Sequence, residues 1–285
     1  MKPMIKHRGG KSREIKEIIK FIPEYKGKYI EPFFGGGALY FYLEPNQAIV
    51  NDINIPLINF YRGIKNDYEK VKSELSALQL KYEEYRKDFD ELKEKNRDKR
   101  VEDQNEYLYY EMRDIFNGDK ESNLHPATVY YYINKTAYSG MIRYNKDGKF
   151  NVPYGRYKNF NTELISKEHH ELLKNTEIYS VDYSEIFGMA REDDFIFLDP
   201  PYDCVFSDYG NAETIEGFDE NMHRKLAIDF RNLNCKALMV IGKTDLTLEL
   251  YNDLIVHEYE KSYAVNIRNR FKSEAMHILV SNYTL

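Results

Sequence analysis

Phe195-Ile196-Phe197-Leu198-Asp199-Pro200-Pro201-Tyr202 is the stretch around which the rest of the chain is organised. Its first four residues are apolar and too few for a helix. They stand between two aspartates and two prolines, which is typical of a buried strand. The polar end of the stretch therefore falls at the carboxyl end of that strand, where an open α/β sheet binds its ligands. The prolines end the ladder of sheet hydrogen bonds and stiffen the backbone.

Three functional groups follow one another at this strand end. Asp199 offers an anionic acceptor, Pro200 a carbonyl that sheet pairing does not use, and Tyr202 a flat aromatic face. An exocyclic amino group on a nucleobase has two hydrogens and a ring, so it needs two acceptors and a stacking surface. The same four residues also suit an ordinary strand-to-loop turn, and other segments must decide between the two interpretations.

Composition excludes several classes of protein. The 285 residues carry a net charge of −6, which argues against a chain that is basic throughout but leaves room for local basic patches. Two cysteines, Cys204 and Cys235, favour a reducing compartment, and no Cys/His cluster has zinc spacing. The apolar runs are too short to span a bilayer, and the start lacks a signal-peptide core. We expect a soluble cytoplasmic protein.

A second ligand site is predicted at Glu31-Pro32-Phe33-Phe34-Gly35-Gly36-Gly37, between a short strand and a helix. Glycines let the backbone approach a ligand without obstruction by a Cβ atom. No Gly-Lys-Ser/Thr follows, so the turn is not a phosphate-binding P-loop. Glu31 would repel a pyrophosphate, and a positively charged cofactor fits better.

The next strand, Ala48 to Val50, ends in Asn51-Asp52. An acid about 20 residues beyond a glycine turn suits hydrogen bonding to a ribose. The two features together predict a site for a cationic, unphosphorylated nucleoside, a description that S-adenosylmethionine meets. Gly9-Gly10, before a helix predicted from about Ser12, allow close approach of a polar or anionic ligand group, with positive charge from Lys6, Arg8 and Lys11.

The middle of the chain differs from both ends. Residues 54 to 119 have helical periodicity, and the Lys/Glu-rich part from Lys70 to Arg100 predicts a solvated helix or helix pair. From Lys135 to Lys158, basic residues alternate with tyrosines around an Asp147-Gly148 hairpin turn. This pattern favours a contact with a phosphate backbone, the alternative being a surface hairpin with chance charge. The α/β alternation resumes beyond it, which predicts a sheet domain with an inserted helical section.

These motifs, taken in order, resemble the Dam-type (D12 class, alpha group) DNA adenine N6-methyltransferases. The resemblance rests on Gly9-Gly10-Lys11, the Glu31 to Gly37 turn, Asn51-Asp52, the hairpin from Arg143 to Lys158, and Asp199 to Tyr202. It implies an α/β fold with a seven-stranded, Rossmann-like S-adenosylmethionine-dependent sheet. Residues 1–55 and 160–285 would form the catalytic domain. Residues 56–159 would form a mainly helical target-recognition domain that carries a β-hairpin.

The resemblance also implies roles for individual residues. The catalytic set is Asp199, Pro200, Pro201 and Tyr202. The cofactor-binding set is His7, Lys11, Glu31, Phe34, Gly35, Gly37, Asp52, Asp182, Tyr183 and Asp199. The DNA-binding set is Lys6, Tyr138, Ser139, Met141, Arg143, Lys149, Pro153, Arg156, Tyr157, Lys158, Arg268 and Arg270. Two positions depart from the family pattern: His7 stands where Trp is frequent, and Ser139 where Dam often has Asn.

The expected reaction is transfer of a methyl group from S-adenosylmethionine to N6 of a flipped-out adenine in double-stranded DNA, without a metal. Arg143 and Pro153 fall where enzymes that read GATC carry Arg and Pro, so GATC is the candidate target. A restriction-modification system is a candidate context. We expect a monomer in solution, with a second copy on DNA as an option, in the cytoplasm of a bacterium or in phage infection, associated with the nucleoid through DNA.

Three alternatives stay open from the sequence. Cytosine-N4 and RNA-adenine methyltransferases share the same logic for an amino group, although the recognition hairpin disfavours RNA. In methyltransferases that act on protein glutamine, Asn usually replaces the motif aspartate, so Asp199 speaks against them. A DNA-binding module without catalysis is the alternative from a different class, and the intact motif set argues against it.

Overall fold

The structure is a computed structural model, and it describes residues 1–7, 9–96, 99–202, 218–261 and 275–284. Arg8, Cys204, Arg268, Arg270 and Lys272 lie outside the described residues, and so do the two DNA contacts predicted at Arg268 and Arg270.

The described strands are, in chain order, β1 (Tyr29–Glu31), β2 (Ala48–Asn51), β3 (Thr176–Tyr179), β4 (Phe195–Leu198), β5 (Lys236–Gly242), β6 (Ile255–Lys261) and β7 (Ala275–Ser281). The described α-helices are α1 (Ile15–Ile18), α2 (Ala38–Leu43), α3 (Ile55–Asn66), α4 (Tyr68–Lys95), α5 (Gln104–Phe116), α6 (Pro126–Thr136), α7 (Lys167–Lys174), α8 (Tyr183–Met189), α9 (Glu220–Arg231) and α10 (Asp245–Tyr251).

The chain forms two compact units. The sheet unit contains Lys11–Ile53 and Thr176–Leu285, and the helical unit contains Met1–Gly10 and Asn54–Asn175. The helical unit thus consists mainly of chain that runs between β2 and β3. It also includes residues 1–10 and 160–175, which were expected in the sheet domain. Residues 160–175 belong to the helical unit because their helix, α7, packs on α3.

The strands of the sheet unit form one sheet in the order β3-β2-β1-β4-β5-β7-β6. Neighbours from β3 to β5 are parallel, whereas β7 runs antiparallel to both β5 and β6. All four residues of β4 are buried, as expected for a parallel strand covered on both faces. The chain reverses its direction of travel across the sheet between β1 and β4, which makes their carboxyl ends the topological switch point. The expected seven-stranded, Rossmann-like fold is confirmed.

The helical unit is built around α6, which is buried along most of its length and packs against α3, α4 and α5. Much of its core is tyrosine, and several of the hydroxyl groups are hydrogen-bonded: Tyr109 donates to the Val152 carbonyl at 2.8 Å, and Tyr82 bonds to Tyr154 at 2.7 Å. The solvated helix predicted between Lys70 and Arg100 is α4, whose residues beyond Tyr82 are exposed or half-buried.

One predicted helix start was wrong by a few residues. The helix expected from about Ser12 is α-helical only from Ile15 to Ile18 and continues as a 3₁₀ turn to Phe21. By contrast, α7 begins at Lys167, because Ser166 closes a capping box with His169 there. Periodicity alone does not place the first turn of a helix, whereas a cap does.

Candidate active site and nucleic-acid interface

Asp199 follows β4 directly and pairs with a lysine from the start of the sheet unit. Lys11 Nζ lies 2.6 Å from Asp199 Oδ2, with the lysine side chain 3% exposed and the aspartate 22%. The lysine is held by a tight turn, since its carbonyl accepts the backbone N–H groups of Glu14 and Ile15. A charged bond this short fixes the direction of the Asp199 carboxylate.

Tyr202 places its ring beside the same lysine. Lys11 Nζ lies 5.0 Å from the ring centroid of Tyr202, within the range of a cation–π contact. Pro200 is buried, while Pro201 and Tyr202 are half-buried. Carboxylate, ammonium and aromatic ring therefore occupy one small region at the carboxyl end of β4.

The glycine turn after β1 is held by backbone and carboxylate contacts. Gly35 donates its N–H to Asp52 Oδ2 at 2.8 Å, and Phe34 donates to the Asn51 carbonyl at 2.8 Å. Gly37 has φ of +63°, and a Cβ atom there would lie 2.7 Å from Phe34 Cζ. The position requires glycine on both counts, backbone conformation and space. The glycine turn and Asp52, which were predicted to share one ligand site, are thus joined by a direct hydrogen bond.

Glu31 ends β1 in a buried position and accepts a hydrogen bond from the Tyr29 hydroxyl at 2.8 Å. Burial raises the pKa of Glu31 well above its ordinary value, and the nearby negative charges of Asp199 and Asp52 raise it further, against a lowering by Lys11. Three carboxyl groups therefore face one described ammonium at the ends of β1, β2 and β4, an arrangement that favours a positively charged ligand.

Sequence reasoning missed the role of Asn51, a buried side chain at the end of β2. Its Nδ2 donates to the carbonyls of Pro32 and Val181 at 2.9 and 3.0 Å, and its Oδ1 accepts from the Val181 N–H at 2.9 Å. Ser180 adds a bond from its hydroxyl to the Asp52 carbonyl at 2.9 Å. Asn51 thereby ties the loops after β1 and β3 to β2. The sequence signal for this role was an amide side chain at the end of a predicted strand, next to Asp52.

Asp182 and Tyr183, expected at the adenine end of the cofactor, have other partners in the structure. Asp182 caps α8 by accepting the Ser184 N–H at 2.9 Å. The Tyr183 hydroxyl donates to Asp229 Oδ2 at 2.8 Å, and its ring lies 5.4 Å from that of Phe33. These contacts hold the loop after β3, and a role for the two residues in adenine binding stays a prediction.

The basic segment of the helical unit forms the predicted hairpin, although it has isolated bridges in place of regular strands. Tyr144 pairs with Phe150, and Ala137 with Tyr154. Asn145 closes the turn: its carbonyl accepts the Gly148 N–H at 3.0 Å, and Gly148 has φ of +72°. This is a turn of three residues with a left-handed glycine at its end.

The side chains predicted to touch DNA differ in their exposure to solvent and in their partners within the helical unit. Tyr138 and Ser139 are exposed at the entry to the hairpin, and Ser139 has φ of +56°. Arg143 donates through Nε to Asn151 Oδ1 at 3.1 Å. Lys149 pairs with Asp119, and Arg156 makes a bidentate bond with Glu106 at 2.9 and 3.0 Å. The other predicted contacts in this segment are exposed or half-buried: Met141, Pro153, Tyr157 and Lys158.

Lys6 is anchored to the helical unit through its backbone. Its N–H donates to Asn134 Oδ1 at 2.9 Å, its carbonyl accepts from Asn134 Nδ2 at 2.8 Å, and its Nζ lies 4.0 Å from the Tyr157 ring centroid. Burial, with a smaller contribution from the charge of Lys6, lowers the pKa of Lys135 to about 8. His7 is exposed in the same unit and its carbonyl accepts the Gly10 N–H, so a cofactor contact stays a prediction.

In the described part of the chain, no group of three or more His, Cys, Asp or Glu side chains is arranged to hold a metal ion. No described helix is long and apolar enough to cross a membrane.

Comparison with known proteins identifies the family. The profile of the D12 class N6 adenine-specific DNA methyltransferases matches residues 7–267. The Type II methyltransferase M.CviBI of Paramecium bursaria Chlorella virus NC1A is 35% identical over 290 residues, covering 99% of this chain and 100% of the relative. The Type II methyltransferase M1.LlaDCHI of Lactococcus lactis subsp. cremoris is 31% identical over 99% and 96% of the two chains. The DNA adenine methylase of Haemophilus influenzae is 29% identical over 88% and 85%. The chain belongs to the D12 class of N6 adenine-specific DNA methyltransferases.

Proposed function

We propose that the carboxyl ends of β1, β2 and β4 bind S-adenosylmethionine, and that Asp199 and Tyr202 present the amino group of a flipped-out adenine to it. The observation that carries this proposal is the position of Asp199 at the switch point of the sheet, 2.6 Å from buried Lys11 and beside the ring of Tyr202. Ligands of open α/β sheets bind at such points.

The residues present fit the proposed cofactor. Asp52 and Asp199 supply more negative charge than Lys11 offsets, and a cationic ligand would also favour the ionised form of Glu31, whose pKa burial raises. Gly35 and Gly37 carry no Cβ atom that would obstruct the cofactor, and the Asp52 carboxylate would accept the ribose hydroxyl groups. When bound, S-adenosylmethionine supplies a methyl group on a positively charged sulfur.

Asp199 and the Pro200 carbonyl would act on the amino group of the adenine. The nitrogen lone pair is delocalised into the ring, which makes it a poor nucleophile. Two acceptors that hold both hydrogens favour the tetrahedral nitrogen of the transition state, where the lone pair is available. Lys11 keeps the carboxylate aligned, so the contribution is electrostatic stabilisation and positioning.

Tyr202 would stack on the adenine after it leaves the duplex. Extrusion costs roughly a few kcal/mol, and stacking of a base on an aromatic ring returns about 1–3 kcal/mol. Lys11 on the other side of the site limits the positions that the tyrosine ring can adopt. The ring would therefore set the plane of the base relative to Asp199.

The helical unit would recognise the target. Tyr138 and Ser139 are exposed at the hairpin entry, and Tyr138 would wedge into the duplex. Arg143, also exposed, would read a guanine edge, with GATC as the candidate sequence. To bind DNA through their charges, Lys149 and Arg156 would each exchange the carboxylate of their ion pair for a DNA phosphate. Such an exchange conserves a charged partner and costs little.

The names of two relatives, Type II methyltransferases, support a restriction-modification context for this chain. A DNA substrate would place its activity in the cytoplasm with the nucleoid. We propose that the chain acts as a monomer, with a second copy able to join it on DNA.

The test of the catalytic assignment is Asp199→Ala, with Asp193→Ala as the matched control because Asp193 is an exposed aspartate just before β4. Radiolabelled methyl transfer should be abolished by the first change and retained after the second, while both variants shift duplex DNA in a gel. Activity of Asp199→Ala within about tenfold of wild type would refute the role, since loss of a transition-state contact costs more. Modified-base sequencing of DNA from a methylation-free host would identify the target.

A further inference from the structure

A buried polar cluster behind the active site is not used by the proposed reaction. It consists of Glu14, Tyr259 and His277 and is called the Glu14 network here. Glu14 Oε2 accepts hydrogen bonds from His277 Nδ1 at 2.8 Å and from the Tyr259 hydroxyl at 2.7 Å. Glu14 and His277 are both buried. Because the carboxylate accepts, Nδ1 of the imidazole carries the hydrogen, and the ring orientation is fixed.

The imidazole meets the tyrosine of the catalytic motif. The ring centroids of His277 and Tyr202 are 5.0 Å apart, and the planes are nearly perpendicular at 86°. Edge-to-face contacts of this kind are favourable and depend on direction. His277 pairs in register with Gly242 of β5, where a Cβ atom would lie 3.4 Å from Tyr202 Cδ2. The tyrosine ring thus rests between the backbone of β5 and the imidazole of β7.

The same network also reaches the other side of the motif. The Glu14 N–H donates to the Lys11 carbonyl at 2.8 Å, so both residues belong to one tight turn. Lys11 binds Asp199, and Glu14 binds the side chains of β6 and β7. This turn is therefore attached to the sheet at two points, and a shift of Glu14 would move the Lys11 ammonium as well.

We propose that His277 is a positioning residue for methyl transfer: held by Glu14, its ring fixes the plane of Tyr202 on which the target adenine stacks. The inference rests on the proposed stacking role of Tyr202. It extends that role to a buried side chain that touches neither substrate nor cofactor. Small displacements of a reacting group are costly, about 10²-fold in rate for roughly 1 Å.

Two substitutions separate the two contacts of the imidazole. His277→Asn places an amide nitrogen near the position of Nδ1 and keeps the bond to Glu14, but removes the ring edge from Tyr202. His277→Phe keeps a ring against Tyr202 and removes the donor to Glu14. We expect the Asn variant to lose about tenfold in kcat with KM for DNA and cofactor unchanged, and the Phe variant to keep kcat within about threefold. His170→Asn, on α7 of the helical unit, is the matched control.

A spectroscopic measurement distinguishes positioning from general loosening. Duplex DNA with 2-aminopurine at the target position reports how the extruded base stacks. Tyr202→Ala defines the signal without the aromatic surface. The fluorescence lifetimes of the His277→Asn complex should move towards those of Tyr202→Ala, whereas those of His277→Phe and His170→Asn should stay close to wild type.

Each outcome has a defined meaning. Normal kcat and lifetimes in His277→Asn, with Tyr202→Ala impaired, overturn the inference and leave the proposed function intact. Full kcat in Tyr202→Ala overturns the stacking role itself. A loss of kcat in His277→Phe alone, with His277→Asn unchanged, overturns the ring contact in favour of the Glu14 bond. If thermal unfolding shows that His277→Asn does not fold, His277→Leu replaces it, because it also removes the ring edge from Tyr202, and an unchanged kcat there overturns the inference.

Discussion

Glu31→Gln should stabilise the ligand-free protein at neutral pH and weaken cofactor binding. Glutamine keeps an oxygen that accepts the Tyr29 hydroxyl bond, but it carries no charge. In the folded protein burial raises the pKa of Glu31 well above 4.5, its ordinary value, and Asp199 and Asp52 raise it further. A carboxyl group that resists ionisation in the fold binds its proton more tightly in the native than in the unfolded state.

The sign of the pH dependence follows from this difference in proton binding. The stability that Glu31 contributes is fully present below pH 4.5, the ordinary pKa, and is lost as the pH rises through the raised pKa of the folded protein. Between these two pKa values the folded wild type binds more protons than the unfolded chain, by one at most, so its free energy of unfolding falls with rising pH relative to Glu31→Gln, by no more than ~1.4 kcal/mol per pH unit.

Urea unfolding of the ligand-free protein at a series of pH values from about 4 upwards measures the effect, and the difference between the two proteins should shift in favour of Glu31→Gln as the pH rises. Glu185→Gln is the control, because Glu185 is exposed at the start of α8. Calorimetry with S-adenosylmethionine should show weaker binding to Glu31→Gln, since the charge that favours a cation is lost. A difference that does not change with pH, or an equal slope in Glu185→Gln, would refute the argument.

Three further predictions concern other parts of the protein. Asp52→Ala should weaken S-adenosylmethionine by roughly 1–3 kcal/mol in calorimetry, the cost of leaving buried hydroxyl groups without an acceptor; unchanged affinity would remove Asp52 from the site. Gly37→Ala should lower the free energy of unfolding by more than ~1 kcal/mol in urea, because φ is +63° and the added carbon meets Phe34; a neutral result would contradict this. Arg143→Ala should lose about 1–3 kcal/mol of discrimination at one base pair in methylation rates on single-base target variants, whereas Lys149→Ala should weaken all duplexes alike and flatten the salt dependence. Equal losses on every variant in Arg143→Ala would make that residue a backbone contact.

The elements that depend on neighbouring residues were predictable. Four apolar residues between aspartates and prolines could form only a short buried strand, and β4 is that strand. The glycines after β1 predicted a turn, and Gly37 in that turn has a positive φ, which favours glycine. The Asp147-Gly148 pair predicted the hairpin turn, which the structure contains. In each case the cause, steric or hydrophobic, acts over a few residues and is therefore visible in the sequence.

Charge pairing was not predictable from composition. Lys149 and Arg156 were interpreted as DNA contacts because the segment is basic, yet each has an acidic partner elsewhere in the helical unit, Asp119 and Glu106. These partners are 30 and 50 residues away in the chain. A count of charges within a segment cannot show which of them the fold brings together.

The sequence by itself determined the parallel strands, the glycine turn, the acids at the strand ends and, through their order, the family of the protein. Only the tertiary structure decided which buried groups support the reaction. Glu14 and His277 are 263 residues apart and meet because β7 enters the sheet antiparallel between β5 and β6. In the same way, Asn51 on β2 joins the loops that follow β1 and β3. A one-residue change of strand register would turn the side chains of His277 and Asn51 to the opposite face of the sheet, so their contacts are properties of the register and not of the local sequence.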